Sequence, residues 1–203
     1  METGVAAEMD KPSGKNSRMK NIIFRTLISA RLIPHIYITR SPLKIYEYRE
    51  MLNGIEFSKD DIILDIGCGK GWQTLMIGQR CKRIIGIDIS EEAASFARFI
   101  AGCMKYRVDA EIRRVKIEDA GFEGEQFDKI FSICVIEHIP NYIEVLRESY
   151  RVLKKGGRMV FSVDSLGTIE DRQVMEKHMK EYSVEKYFER KELAACLREI
   201  GFK

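Results

Sequence analysis

Five short apolar runs, separated by stretches of helical periodicity, limit what this chain can fold into. Residues 62–66, 83–89, 110–115, 127–136 and 158–163 have the length and apolar, β-branched content of strands buried on both faces. Helices are expected from the loop at 67–71 to about residue 80 and after Ser90, which caps a first turn holding Glu91 and Glu92. Another is expected over 141–155, with Ile143, Leu146, Tyr150 and Leu153 on one face and Gly156-Gly157 as its stop. Two more follow over 169–181 and 190–200. This alternation predicts an α/β fold, a doubly wound and mainly parallel sheet covered on both faces. Such sheets bind ligands beyond the carboxyl ends of their strands, where strand order reverses. Gly67–Gly71, Asp88 and Glu137-His138 all follow strand ends, so they can converge along one edge.

At 203 residues, 45% hydrophobic and 32% charged, the chain is long enough to bury one substantial core. It is too apolar for a disordered polypeptide and too interrupted by charge for a membrane span. Its five cysteines are widely spaced and form no Cys-x-x-Cys pair, which argues against a disulfide framework or a structural zinc site. No metal site and a cytoplasmic location are expected. Residues 1–18 read as a flexible leader, 19–54 as a basic helical cap and 55–203 as the main domain. Within the cap, helices are expected over 20–33, ended by Pro34, and over 42–53, ended by Gly54. Between Lys11 and Tyr46 there are eight basic residues and no acidic one. That stretch suits peripheral contact with a membrane surface or another anionic ligand, and equally a solvated terminus. The remainder is slightly acidic and lacks a basic, aromatic-laced face, so no nucleic-acid partner is expected.

The loop after the first strand runs Asp65-x-Gly67-x-Gly69-x-Gly71. Trp72 stands where a dinucleotide fingerprint needs its third glycine, and no Gly-Lys-Ser/Thr is present to cradle phosphates. The glycines permit positive φ and close backbone approach to a ligand. A carboxylate at Asp65, expected at the mouth of the loop, would repel a pyrophosphate but suits an ammonium or sulfonium group. Asp88 lies 21 residues beyond Gly67 and can accept both hydroxyls of a ribose. The competing role, capping the next helix, falls more naturally to Ser90.

The stretches 63–71, 86–90, 127–128 with 135–139, and 153–157 resemble, in order, the motifs of class I S-adenosylmethionine-dependent methyltransferases, most closely the type 11 group of small-molecule and quinone-biosynthesis enzymes. The resemblance spans about residues 60–202 and implies a Rossmann-like fold with S-adenosyl-L-methionine as cofactor. It implies that Asp65, Gly67, Cys68, Gly69 and Gly71 surround the methionine portion. It also implies that Asp88 holds the ribose, that Ile117 and Glu118 after the third strand lie near the adenine, and that Ile89 and Ile133 belong to the same cofactor site. Lys116 departs from the pattern, since many relatives carry there an acid that bonds the adenine amino group. The chain also ends at Lys203, just after Gly201-Phe202, where the family's sheet usually gains an antiparallel hairpin. Missing edge strands are therefore expected. Glu137 and His138 are the candidates for a catalytic base, against the alternative that His138 only orders its loop. The acceptor is expected to be a metabolite, quinone-like or lipid-like. It would be met by the cap and by 165–188, where His178, Tyr182, Tyr187 and Phe188 form either a wall or core; Asp164, just before that stretch, either lines the acceptor pocket or caps the next segment. Trp72 and Met76 either border the cofactor or pack on neighbouring helices. A non-catalytic S-adenosylmethionine-binding regulator and a nicotinamide oxidoreductase are the competing readings, the second weakened by Trp72.

Overall fold

The computed structural model describes residue 46 and residues 49–105, 107–163 and 172–203. The leader, the helix expected over 20–33, half of that over 42–53, and Asp164 with residues 165–171 lie outside them. In chain order the elements are β1 (Ile62–Ile66), α1 (Trp72–Gly78), β2 (Arg83–Asp88), α2 (Glu91–Met104), β3 (Ala110–Arg114), β4 (Phe127–Ile133), α3 (Tyr142–Val152), β5 (Leu153–Ser162), α4 (Arg172–Tyr182) and α5 (Arg190–Ile200). Short 3-10 turns at Ile117–Asp119 and Ile136–His138 follow β3 and β4. The five strands pair in parallel in the order β3-β2-β1-β4-β5, so strand order reverses between β1 and β4. Among the described residues no helix is long and apolar enough to cross a membrane.

Successive strand residues point to opposite faces, and both faces are apolar. Ile63, Ile84 and Phe131 pack on α1 and α2 through Leu75, Phe96 and Ile100. Leu64, Ile85 and Ile130 pack on α3 through Val145 and Val152. Each such buried side chain contributes roughly 1.5–3 kcal/mol relative to exposure. Because two faces must be filled, the strands read as continuous apolar runs rather than as alternating ones. The α2 cap is formed as its sequence suggests, with the Ser90 Oγ accepting from the Ala93 N–H at 3.2 Å.

Two boundaries differ from the sequence expectation. β4 ends at Ile133 instead of 136, because Cys134 takes φ 53° and turns its N–H onto the Ser162 carbonyl at 3.1 Å. The apolar run continues for other reasons. Val135 lies against Gly67, and Ile136 enters a separate cluster with Leu146, Phe188 and Leu193. The helix expected over 141–155 ends at Val152, where Leu153 turns extended and pairs with Phe127. The last helical carbonyls, of Arg151 and Val152, accept the N–H groups of Glu125 and Gln126 at 3.0 and 2.8 Å. Gly156 and Gly157 therefore lie inside a bulge of β5, where register jumps from Phe127↔Leu153 to Lys129↔Arg158.

That bulge gathers strand starts around Asp128. Its carboxylate accepts the Ile62 N–H at 2.9 Å and both oxygens receive the Lys154 ammonium at 2.9 Å. Partial burial pushes this carboxyl up, but the Ile62 N–H and Lys154 outweigh it and hold it below the usual carboxylate range. A Cβ at Gly157 would lie 2.9 Å from the backbone oxygens of Asp128 and Lys154, which cannot move aside as a side chain can. Gly157→Ala is expected to destabilise the fold by about 1–3 kcal/mol through this overpacking. Chemical denaturation checks it, and an unchanged midpoint would contradict the tight bulge.

Candidate functional site

A cleft of about 530 Å³ opens at the carboxyl ends of β1, β2 and β4, at the point where strand order reverses. Its floor is apolar, made by Ile66, Ile87 and Val145, while Asp88, Glu118 and His138 stand at its lining. The volume lies within the range of small-molecule sites.

The glycine loop forms one wall. The Gly67 and Cys68 N–H groups both bond the Ile87 carbonyl, at 2.8 and 3.0 Å, so the loop is fastened to the end of β2. Gly67, Gly69 and Gly71 all have positive φ. At Gly67 the requirement is doubled, because an added Cβ would also fall 2.3 Å from Val135 Cγ2. Gly71 serves packing rather than the cleft, since its Cβ would meet the Ala97 methyl on α2 at 2.8 Å. Trp72 likewise packs on α2, with its ring 5.8 Å from Phe96.

Asp88 ties this wall to the next helix. One carboxylate oxygen accepts the Gly69 N–H at 2.8 Å and the other accepts the Ser90 N–H at 2.8 Å. An ionised carboxylate has about four acceptor positions, so each oxygen keeps one for a ligand. Beside it Ile89 is 66% exposed, an unusual setting for a large apolar side chain at the edge of a cleft. Ile117 is buried beneath the same rim, with Lys116 and Glu118 exposed on it.

Asp65 is not at the mouth of the loop, as the sequence suggested. It is 1% exposed beneath the loop, accepting the Thr74 hydroxyl at 2.6 Å and the Gln73 amide at 3.4 Å. The cause is strand alternation: Asp65 sits on the face covered by α1, whose first turns supply both donors. Burial pushes its carboxyl up to about 7, against the Thr74 hydrogen bond, and the Asp88 charge adds to the rise. Cys68 is 7% exposed, and burial, with the nearby Asp65 and Asp88, drives its thiol well above the ordinary range. It is a small protonated core group, packed against Gly86. Neither Asp65 nor Cys68, Gly69 or Gly71 lines the cleft, and neither does Ile133.

The opposite wall is the turn after β4. His138 is exposed and lines the cleft, whereas Glu137 is fully buried and points away from it. The adjacent pair therefore divides, one side chain to the cleft and one to the interior. The cleft also uses Val135, Ile139, Pro140 and Asn141, which the sequence reading passed over. The motif at 135–139, just beyond a strand end, carried the signal for Val135 and Ile139. Of the aromatic group considered as an acceptor wall, Phe188 is core, 4% exposed and edge-on to Tyr142. His178 instead pairs with the Tyr187 hydroxyl at 2.6 Å and packs on the Tyr182 ring at 4.4 Å. Among the described residues no group of three or more His, Cys, Asp or Glu side chains is placed to hold a metal ion.

Residues 64–161 match a family model described as a methyltransferase domain. A ubiquinone biosynthesis O-methyltransferase of Pseudomonas entomophila is 35% identical over 101 residues, 49% of this chain and 43% of that protein. The chain thus spans less than half the length of that curated relative. The solved YcgJ protein of Bacillus subtilis superposes with a TM-score of 0.67 at 22% identity, over 77% of this chain and 68% of that one. A geranyl diphosphate C-methyltransferase of Streptomyces coelicolor, solved with S-adenosyl-L-homocysteine, gives 0.64 at 17% identity over 77% and 57%. At these identities the two structures share the fold.

The raised Asp65 carboxyl has a consequence for stability. Between about pH 4 and 7 the folded chain holds a proton there that the unfolded chain has lost. This group's contribution is complete below the lower limit and is lost as pH rises through about 7. Asp65→Asn removes the titration, so the variant is expected to lose less stability than the wild type between pH 4 and 7. Denaturation midpoints across that window measure it, and parallel curves would contradict the assignment.

Proposed function

We propose, from the match of residues 64–161 to a methyltransferase domain and from the cleft beside it, that this protein transfers a methyl group from S-adenosyl-L-methionine to a small-molecule acceptor. The observation that carries the reading is Asp88, a carboxylate at the cleft with one acceptor position left on each oxygen. Two adjacent free acceptors suit the vicinal hydroxyls of a ribose, and the apolar floor of the cleft suits a nucleoside base. The exposed Ile89 face supports the same fit, since a flat ring laid on it would remove apolar surface from water.

In this reading the Gly67 backbone meets the amino-acid portion at the cleft, with Gly69, Gly71 and the buried Asp65 fixing the loop from behind. Ile117, Glu118 and Ile89, all lining the cleft, flank the base. Lys116, exposed on the rim, leaves recognition of the base amino group to backbone and to Glu118. When bound, the cofactor supplies a methyl group on a sulfonium, so the sulfur leaves as a neutral thioether that keeps the electron pair of the broken bond. The chain's own task is then to orient an acceptor, exclude water and, where the acceptor carries a proton, remove it. His138 is the base at the cleft. Glu137, buried behind it, shapes the turn. Residues 55–203 act as the catalytic domain, with 19–54 as a cap on the acceptor side and the basic stretch 11–46 as its contact with an anionic surface.

Asp88→Ala removes one or two charge-assisted bonds, each worth about 1.5–3 kcal/mol, and is expected to weaken S-adenosylmethionine binding by about 10–100-fold. Affinity is read by titration on a variant whose circular dichroism matches the wild type. Unchanged affinity in that folded variant would sink the role given to Asp88.

A further inference from the structure

The segment joining α4 to α5 crosses the turn that carries His138 and is bonded to it at several points. α4 closes with the Val184 N–H on the Met179 carbonyl at 2.9 Å, and Ser183 takes φ 54° to reverse the chain. Two N–H groups, of Glu185 and Lys186, then bond the one Glu137 carbonyl at 2.8 and 3.2 Å. Val184 and Phe188 are buried on either side. The Lys186 ammonium completes the attachment by reaching Glu192 at 2.6 Å and the Tyr142 hydroxyl at 3.3 Å. The crossing is thus held by backbone bonds, buried side chains and an ion pair, none of which involves the His138 ring.

A further contact joins His138 Nδ1 to the Ser183 carbonyl at 3.0 Å. A carbonyl oxygen can only accept, so Nδ1 carries the proton and donates. In the neutral ring Nε2 is then the bare nitrogen, on a side chain that lines the cleft. We infer that the Ser183 carbonyl is a positioning group that fixes His138 in its Nδ1-protonated tautomer and thereby presents Nε2 to the cleft as a proton acceptor. The inference deepens the methyl-transfer reading and rests on it for the use of that acceptor. With S-adenosylmethionine bound, an acceptor O–H would give its proton to Nε2 while its oxygen took the methyl and the sulfur kept the electron pair of the broken bond. The ring leaves that step as an imidazolium with Nδ1 still on Ser183. An acceptor with no proton to lose gains nothing from this arrangement.

The test is nitrogen NMR of the full chain labelled at its three histidines, without cofactor, with His138 assigned by loss of its signals in His138→Gln. The expected spectrum has the pyridine-type resonance at Nε2, with the Nδ1–H form in about tenfold excess. Ser183→Gly keeps both the carbonyl and the left-handed backbone and should retain that excess. Ser183→Pro cannot adopt φ 54° and should reduce it to near parity or below. A second measurement needs no variant: with histidine nitrogen and serine carbonyl carbon labelled, a coupling should cross the hydrogen bond. A His138 ring protonated mainly at Nε2, or no such coupling in the wild type, overturns the inference. Both experiments use the free protein, so failure of S-adenosylmethionine to bind would count against the methyl-transfer reading alone. A wrong tautomer would count against the Ser183 inference alone.

Discussion

The Asp88 carboxylate fastens the glycine loop to the start of α2, and the geometry of the cleft depends on that bracket. The Gly69 N–H on one oxygen and the Ser90 N–H on the other leave both peptide donors satisfied and the charge stabilised without a basic side chain. The Ile87 carbonyl, taking two N–H groups from Gly67 and Cys68, supports the bracket from the strand below. Together they hold Gly67 and Gly69 in their left-handed conformation. A site built in this way does not have to order its loop on binding, which is where much binding free energy is otherwise lost.

A second carboxylate, Asp65, works by the opposite physics. It is withdrawn from water, and desolvation raises it to about 7 although Thr74 and Gln73 donate to it. The two acids, one residue from their strand ends or at them, divide the labour of the edge. Asp88 stays where a ligand can reach it, and Asp65 locks the first turns of α1 to β1. The opposite wall divides in the same manner, with His138 at the cleft and Glu137 in the interior.

What could be read in the sequence was what local chemistry decides. The strand–glycine–helix succession, the Ser90 cap and the position of Asp88 at the end of β2 each follow from residues within a few positions of one another. The same motifs carried the family resemblance, which the matching domain over 64–161 bears out. The misplaced features depend on distant partners. β4 stops where Cys134 meets Ser162, 28 residues on, and α3 stops where Leu153 is claimed by Phe127. The burial of Asp65 depends on which face of the sheet α1 covers, and Thr74 in the first turns of α1 carries the signal for it. The contact between His138 and Ser183 spans 45 residues and uses a backbone oxygen, so no side-chain pattern announces it.

The central claim is that the glycine loop and Asp88 form a cradle for an adenosyl group on a sulfonium, in preference to a dinucleotide. Calorimetric titration of the purified chain with S-adenosylmethionine, S-adenosylhomocysteine and NAD addresses it directly. The account predicts saturable binding of the first two at one site per chain and none of NAD. Binding of NAD, or a folded protein that takes none of the three, would contradict it.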